Sequence, residues 1–274
     1  MSATLAAVAW RSLVESAALP YAGGGRFALH FARGKLRWDP VFRHLVGSGL
    51  IAPRARVLDI GCGQGLLASL LGAAGRLARR GGWPVDWAAA PSDVRVVGIE
   101  LAPLEVARAR DALGADADFV CGDMRCTAFP NVDAVVILDA LHYVSHAEQV
   151  EILRRVRDAL PGGGCLMLRV GDASSRLAFA IGQGVDRLVA LARGGRARPR
   201  AGRSLAAWQA LLSGLGFDVA SLPMHRGTPF VANVLLVARV RVTPTVPIAP
   251  VTAIAPVTPV TPVTSITSIT PVAP

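Results

Sequence analysis

The stretch Val57-Leu58-Asp59-Ile60-Gly61-Cys62-Gly63-Gln64-Gly65 decides the fold. An apolar run from Arg56 to Ile60, rich in strand-forming residues, enters a glycine turn. Leu66-Leu67-Ala68-Ser69-Leu70-Leu71 then leaves it with helical spacing. Strand, tight loop and helix in that order let a small ligand lie directly on the backbone. The spacing G-x-G-x-G departs from the G-x-G-x-x-G of dinucleotide sites. Asp59, at the strand end, would repel a phosphate and attract an ammonium group. No Gly-Lys-Ser/Thr follows, which excludes a phosphate-cradling loop.

Outward from this stretch, strands and helices alternate. Val94 to Glu100 reads as a second strand ending in an acid, and Pro103 to Leu113 as a helix opened by proline. Asp118 to Cys121 makes a third strand. Val132 to Leu138 is a continuous apolar run suited to a strand covered on both faces. A helix over about 147–160 and a strand over 163–170 follow. This alternation predicts βαβ units and a parallel sheet. Ser204 caps a helix to about Leu215, and Phe217–Leu222 with Phe230–Val240 read as a closing pair of strands. The segment 174–192 reads as helical and 194–203 as a basic loop.

Upstream, residues 2–19 suit one helix, ended by Pro20 and Gly23-Gly24-Gly25. The next segment, 26–38, mixes aromatics with bases and shows no clear period. Asp39-Pro40 reads as a helix cap followed by proline at the first helical position. These elements precede the first strand and are expected to cap the core. From Val242 a loose Pro-Val-Thr repeat without charge runs to the end, and prolines so spaced block helix and central strand alike.

The run Val57–Gly65 resembles the first motif of the class I S-adenosylmethionine-dependent methyltransferases, and the resemblance covers about Arg54 to Arg241. It implies a Rossmann-like, seven-stranded, mostly parallel sheet with helices on both faces, an antiparallel C-terminal hairpin and an N-terminal helical cap. The implied organisation is a cap over 1–52, a methyltransferase domain over 53–241 and a disordered tail over 242–274. The implied cofactor is S-adenosyl-L-methionine. Gly61, Cys62, Gly63 and Gly65 would pack on its methionine part, which Asp59 faces. Glu100, with Leu101 beside it, would hold the ribose hydroxyls, and a carboxylate can accept both at once. Asp123 would accept from the adenine amine while Met124 lies along the ring, and Asp139 would face the methionine end or hold its loop. Each acid follows a predicted strand, and ligands of open α/β sheets bind at those carboxyl ends.

Methyl transfer is an in-line displacement at an activated carbon, so positioning supplies much of the rate. One base can assist, and His142 and Tyr143 are the candidate catalytic residues: His142 as a base or a strand-end cap, Tyr143 orienting the acceptor. His30, near Phe27, Phe31 and Lys35, and His225 in the hairpin loop are weaker candidates for the acceptor pocket.

The net charge of the 274 residues is +10, almost wholly from arginine. A basic surface of this kind admits a nucleic-acid or anionic-membrane partner without requiring one. The loop 193–203 is the best argument for RNA, but no aromatics interleave with its arginines to stack bases. The Asn/Asp-Pro-Pro-Tyr/Phe signature of adenine methyltransferases is absent. The cap aromatics, and the segment 174–192, which falls where the resembled family often inserts acceptor-binding helices, lead to the expectation of a small, hydrophobic or aromatic acceptor, and the cap and hairpin look like those of bacterial methyltransferases of polyketide or fatty-acyl-like pathways. An RNA methyltransferase and a non-catalytic adenosylmethionine-binding protein are the alternatives. Four scattered cysteines without a C-x-x-C pair read as reduced thiols of a cytoplasmic protein. No metal-ligand spacing occurs. No apolar run reaches the ~18 residues of a membrane span, and no secretory signal is expected.

Overall fold

Val57, Leu58 and Ile60 make β1 (Arg56–Ile60) apolar on both faces, so it must be flanked and covered, and it is. The computed structural model describes residues 2–171, 202–224 and 233–242. The other strands are β2 (Arg95–Glu100), β3 (Asp118–Cys121), β4 (Ala134–Leu138), β5 (Cys165–Gly171), β6 (Phe217–Pro223) and β7 (Asn233–Val240). They form one seven-stranded sheet in the order β3-β2-β1-β4-β5-β7-β6. β1 pairs in parallel with β2 and β4, placing Asp59 opposite Gly98 on one side and Val136 on the other. β7 runs antiparallel to both β5 and β6. The fold is the expected Rossmann-like one, its chain order reversing direction across the sheet between β1 and β4.

The helices are α1 (Ser2–Ala18), α2 (Arg26–Trp38), α3 (Pro40–Gly47), α4 (Leu66–Arg79), α5 (Pro103–Leu113), α6 (His146–Ala159) and α7 (Leu205–Gly214). Their starts follow the capping chemistry of the sequence. The Asp39 carboxylate accepts the Val41 amide at 3.2 Å, with Pro40 in the first turn of α3. Ser145 and Glu148 close a reciprocal capping box on α6, and Ser204 accepts the Ala207 amide at the start of α7.

Two features differ from expectation. Segment 26–38, without an evident period, is the helix α2. Its buried stripe is Ala28, Ala32 and Leu36, one residue per turn and mostly small, while Phe27 and Trp38 are exposed. The apolar signal is thus carried by alanine and blurred by exposed aromatics. The N-terminal helices also stand less apart than a cap would. Trp10, Leu13 and Val14 of α1 share one continuous core with Leu67, Leu70 and Leu71 of α4 and with Val57, Val96 and Val136 of the sheet.

Two hydrogen bonds tie this N-terminal segment to the glycine stretch. Ser69 Oγ donates to the Ala17 carbonyl at 2.7 Å, and the Tyr21 hydroxyl donates to the Gln64 carbonyl at 2.9 Å. The helix read over 174–192, most of the loop 193–203, His225 and the tail fall outside the described residues.

Candidate functional site

The glycine bend closes against β2. The amides of Gly61 and Cys62 both donate to the Ile99 carbonyl, at 2.8 and 3.2 Å. Gly61, Gly63 and Gly65 all have positive φ, which a side chain would strain. At two of them the space is closed as well. A Cβ on Gly61 would meet the Ala140 Cβ at 2.7 Å, and one on Gly65 would meet the Phe119 ring at 2.7 Å. Cys62 Sγ lies against Gly98, where a Cβ would come within 2.7 Å of it. The need for Gly98 in β2 was not read from the sequence; its signal is a lone glycine inside a strand pattern.

Around this bend the strand tips deliver the acids. Asp59 is buried, 5 % exposed, and among the described residues no cation pairs with it. Burial, with the nearby charge of Glu100 adding to it, pushes its carboxyl up to about 7. Glu100 accepts the Gly63 amide with one oxygen at 3.0 Å and the Ala102 amide with the other at 2.9 Å. Leu101 beside it is exposed. The Gly122 amide donates to the Glu100 carbonyl, so the turn carrying Asp123 is fastened to the tip of β2.

Asp59 and Glu100 are thereby brought together. Asp123 stands at the next strand tip, but its carboxylate is engaged by Arg125, whose Nη2 lies 2.6 Å away and whose Nη1 reaches Glu148 at 3.0 Å. This hydrogen bonding holds the Asp123 carboxyl below its ordinary range. Arg155 of α6 fixes the same turn, donating at 2.9 Å to the carbonyls of Met124 and Arg125 and lying 4.1 Å over the Phe129 ring. Neither arginine was singled out in the sequence, since a surface arginine on a basic chain carries no pattern.

On the other side of β1, Asp139 follows β4 with φ of 55°. Aspartate tolerates this left-handed conformation better than most residues. Both its oxygens are gripped by the Arg169 guanidinium, through Nε at 2.9 Å and through Nη2. Arg169, in β5 and only 1 % exposed, also reaches Asp39 Oδ1 at 2.5 Å, and Lys35 lies 2.9 Å from Asp39 Oδ2. Burial pushes Asp39 up, but Arg169 and Lys35 outweigh it and hold its carboxyl at about 2. Arg169 was missed because a lone arginine in an apolar strand run reads as an edge position.

His142 and Tyr143 lie in the turn after Asp139, ring centroids 4.2 Å apart. The imidazole Nε2 of His142 is buried with no hydrogen-bond partner. Burial lowers its pKa, Asp139 only partly opposing, so the ring is neutral near pH 7. A small cavity of about 20 Å³ adjoins it, between Arg169, Gly171, Gly202 and Trp208. A wider groove of about 420 Å³ lies at the opposite end of the strands, between α4 and α5, and touches none of these acids. His30 is exposed on α2 and lies outside this arrangement.

Residues 57–164 match the family described as a methyltransferase domain. Over this stretch the chain is similar to methyltransferase domains. A carboxy-S-adenosyl-L-methionine synthase of Chromohalobacter salexigens is 31% identical over 140 residues, the match covering 47% of each chain. The chain thus spans about half the length of the curated relatives it matches. Among solved structures, a mitomycin 7-O-methyltransferase superposes with a TM-score of 0.52 at 23% identity, over 78% of this chain and 56% of the other. An O-methyltransferase family 2 protein of Planctomyces limnophilus, in complex with apigenin, gives 0.51 at 17% identity, over 77% and 60%. At such identities these two carry the fold. No helix among the described residues is long and apolar enough to cross a membrane.

The residues of the domain's crevice fit a cationic sulfur nucleoside. Asp59, buried and with no paired cation among the described residues, lies at a bend whose Gly61 and Gly65 have no room for a side chain, and Glu100 stands near it. A phosphate-bearing ligand would meet two negative charges there.

Proposed function

We propose that this protein transfers the methyl group of S-adenosyl-L-methionine to a small, hydrophobic or aromatic acceptor. The observation that carries the reading is Asp59, buried near Glu100 with no counter-cation among the described residues and pushed up to about 7. Such a group lacks a positive partner, and the ammonium and sulfonium of the cofactor supply one. When bound, the cofactor brings a methyl carbon already activated for displacement by the positive sulfur.

The chain's own residues do the rest. The bend Gly61–Gly65 and Cys62 seat the methionine part under Asp59. Glu100, oriented by the Gly63 and Ala102 amides, keeps lone pairs for the ribose hydroxyls. Leu101 and Met124 would lie along the adenine. Asp123 takes the adenine amine by sharing its oxygens with Arg125, a partial loss of freedom that narrows its reach. His142, neutral and with Nε2 unpartnered, receives a proton from an acidic acceptor group, and Tyr143 orients that acceptor.

A second reading follows the curated relatives, whose name places a carboxylated form of the cofactor at the site. An added carboxylate wants a cation with an unused fork. The described arginines at the crevice, Arg169 and Arg125, each already hold two carboxylates. This favours methyl transfer. The RNA reading loses ground at Arg203, whose guanidinium turns inward onto Gln149 at 2.8 Å and lies 5.6 Å from the Trp208 ring.

The test is transfer of label from methyl-labelled cofactor to a panel of phenols, acyl thioesters and RNA. Label in the aromatic or acyl pool supports the reading. Label confined to RNA, or to a carboxylated cofactor, would replace it.

A further inference from the structure

Asp39 and Arg169 are 130 residues apart in sequence and meet through a buried ion pair. Arg169 grips the next turn at two levels: its carbonyl takes the Asp139 amide at 3.4 Å and its guanidinium takes the Asp139 carboxylate. Ala140 follows directly, and its Cβ presses on Gly61 so closely that a Cβ there would sit 2.7 Å away. A continuous line of contact therefore runs from the cap of α3, through β5 and the turn 139–143, to the cofactor bend. The same bend is held from its far side by Tyr21, which donates to the Gln64 carbonyl.

We propose that Asp39 and Arg169 are positioning residues for the methyl-transfer site, a clamp through which the N-terminal helices set the geometry of the turn 139–143 and of the bend Gly61–Gly65. The inference rests on the cofactor reading given above. The charges alternate along the line, Lys35 and Arg169 against Asp39 and Asp139, so the buried pair Asp39–Arg169 is balanced by a partly exposed charge on either side. Buried charges of this kind are costly unless all partners are present, which makes the clamp a two-state element rather than a soft one. The clamp acts on the bend through Asp139 and Ala140.

The experiment is calorimetric titration of S-adenosylhomocysteine into the full chain, reading affinity and stoichiometry separately. Asp39→Asn raises Kd about tenfold with stoichiometry near one, within the usual range for coupling between distant groups. A lesion that only unfolded molecules would lower the stoichiometry and leave Kd unchanged. Where Asp39→Asn does not fold, Arg169→Lys decides in the same way, since it keeps the charge and loses the fork. Arg33→Ala, which breaks only the exposed pair with Glu15, leaves Kd as in the wild type. A wild-type chain that binds no ligand removes the cofactor reading and the clamp's role with it. Wild-type affinity retained in the clamp variants overturns the clamp alone.

Discussion

The Gly63 amide donates to Glu100 Oε2 at 3.0 Å, across 37 residues of chain. That bond joins the middle of the glycine bend to the tip of β2. One carboxylate thus shapes the bend and, in the proposed function, also holds the ribose hydroxyls. Glu100→Ala removes both functions. Hydrogen bonds to charged groups contribute about 1.5–3 kcal/mol, so cofactor affinity should fall by about ten- to a hundredfold. Glu100→Gln keeps an acceptor for Gly63 and should lose less. Titration of both variants with S-adenosylhomocysteine checks the order.

Asp59 should make binding pH-dependent if it faces the cofactor as proposed. Its carboxyl lies at about 7 in the free protein, and a cationic ligand favours the ionised form. Below that pH a proton must leave on binding, so affinity should drop as pH falls from about 7 towards 5, by up to about tenfold per unit. Calorimetry in two buffers of different ionisation enthalpy should show proton release at pH 6 and little at pH 8.5. Asp59→Asn should abolish the release.

The stability linkage has the same origin and the opposite consequence for the free protein. A raised carboxyl leaves the fold unpenalised below the unfolded value of about 4 and progressively destabilised as pH rises through about 7. Asp39, held at about 2, works the other way: its contribution is complete above about 4 and is lost as pH falls towards 2. Melting of Asp39→Asn and Asp59→Asn against the wild type over pH 3–8 should show the Asp39 variant converging with the wild type in acid. The Asp59 variant should gain on it towards neutrality.

If His142 is the base of the proposed function, it should supply an acidic limb to the rate. Its imidazole titrates below the ordinary value of about 6.5 because it is buried, so kcat should stay flat through neutrality and fall only below that value. His142→Asn should lower kcat by about 10²-fold or more and remove the limb, with little change in cofactor KM. An unchanged profile would leave the ring as a strand-end cap.

Gly61 tests the closeness of bend and turn. Gly61→Ala meets both a φ of 77° and Ala140 at 2.7 Å, and should cost about 2–4 kcal/mol in thermal or denaturant unfolding. Ala140→Gly in the same chain should recover the steric part and leave the backbone part.

How far the sequence carried this picture differs from one element to the next. The strand, bend and helix at 56–71 were legible because three glycines, an acid and two apolar periods fall in a short window. The tips of β2, β3 and β4 were legible by the same alternation. Helix α2 was not, because alanines supply its buried stripe. The Arg169 clamp was invisible in principle, since its partners at 39 and 139 are joined only by the folded topology. The engagement of Asp123 by Arg125 was equally hidden: two residues of opposite charge two apart specify no geometry until the turn closes.

The most direct measurement is the electron density of a crystal soaked with S-adenosylhomocysteine. The ribose hydroxyls are expected on Glu100, the amino group on the Asp59 side of the bend Gly61–Gly65, and the sulfur opening towards His142 and Tyr143. Density for the nucleoside in the groove between α4 and α5, or at the strand tips with Asp59 and Glu100 turned away from it, would rule out this mode of cofactor binding.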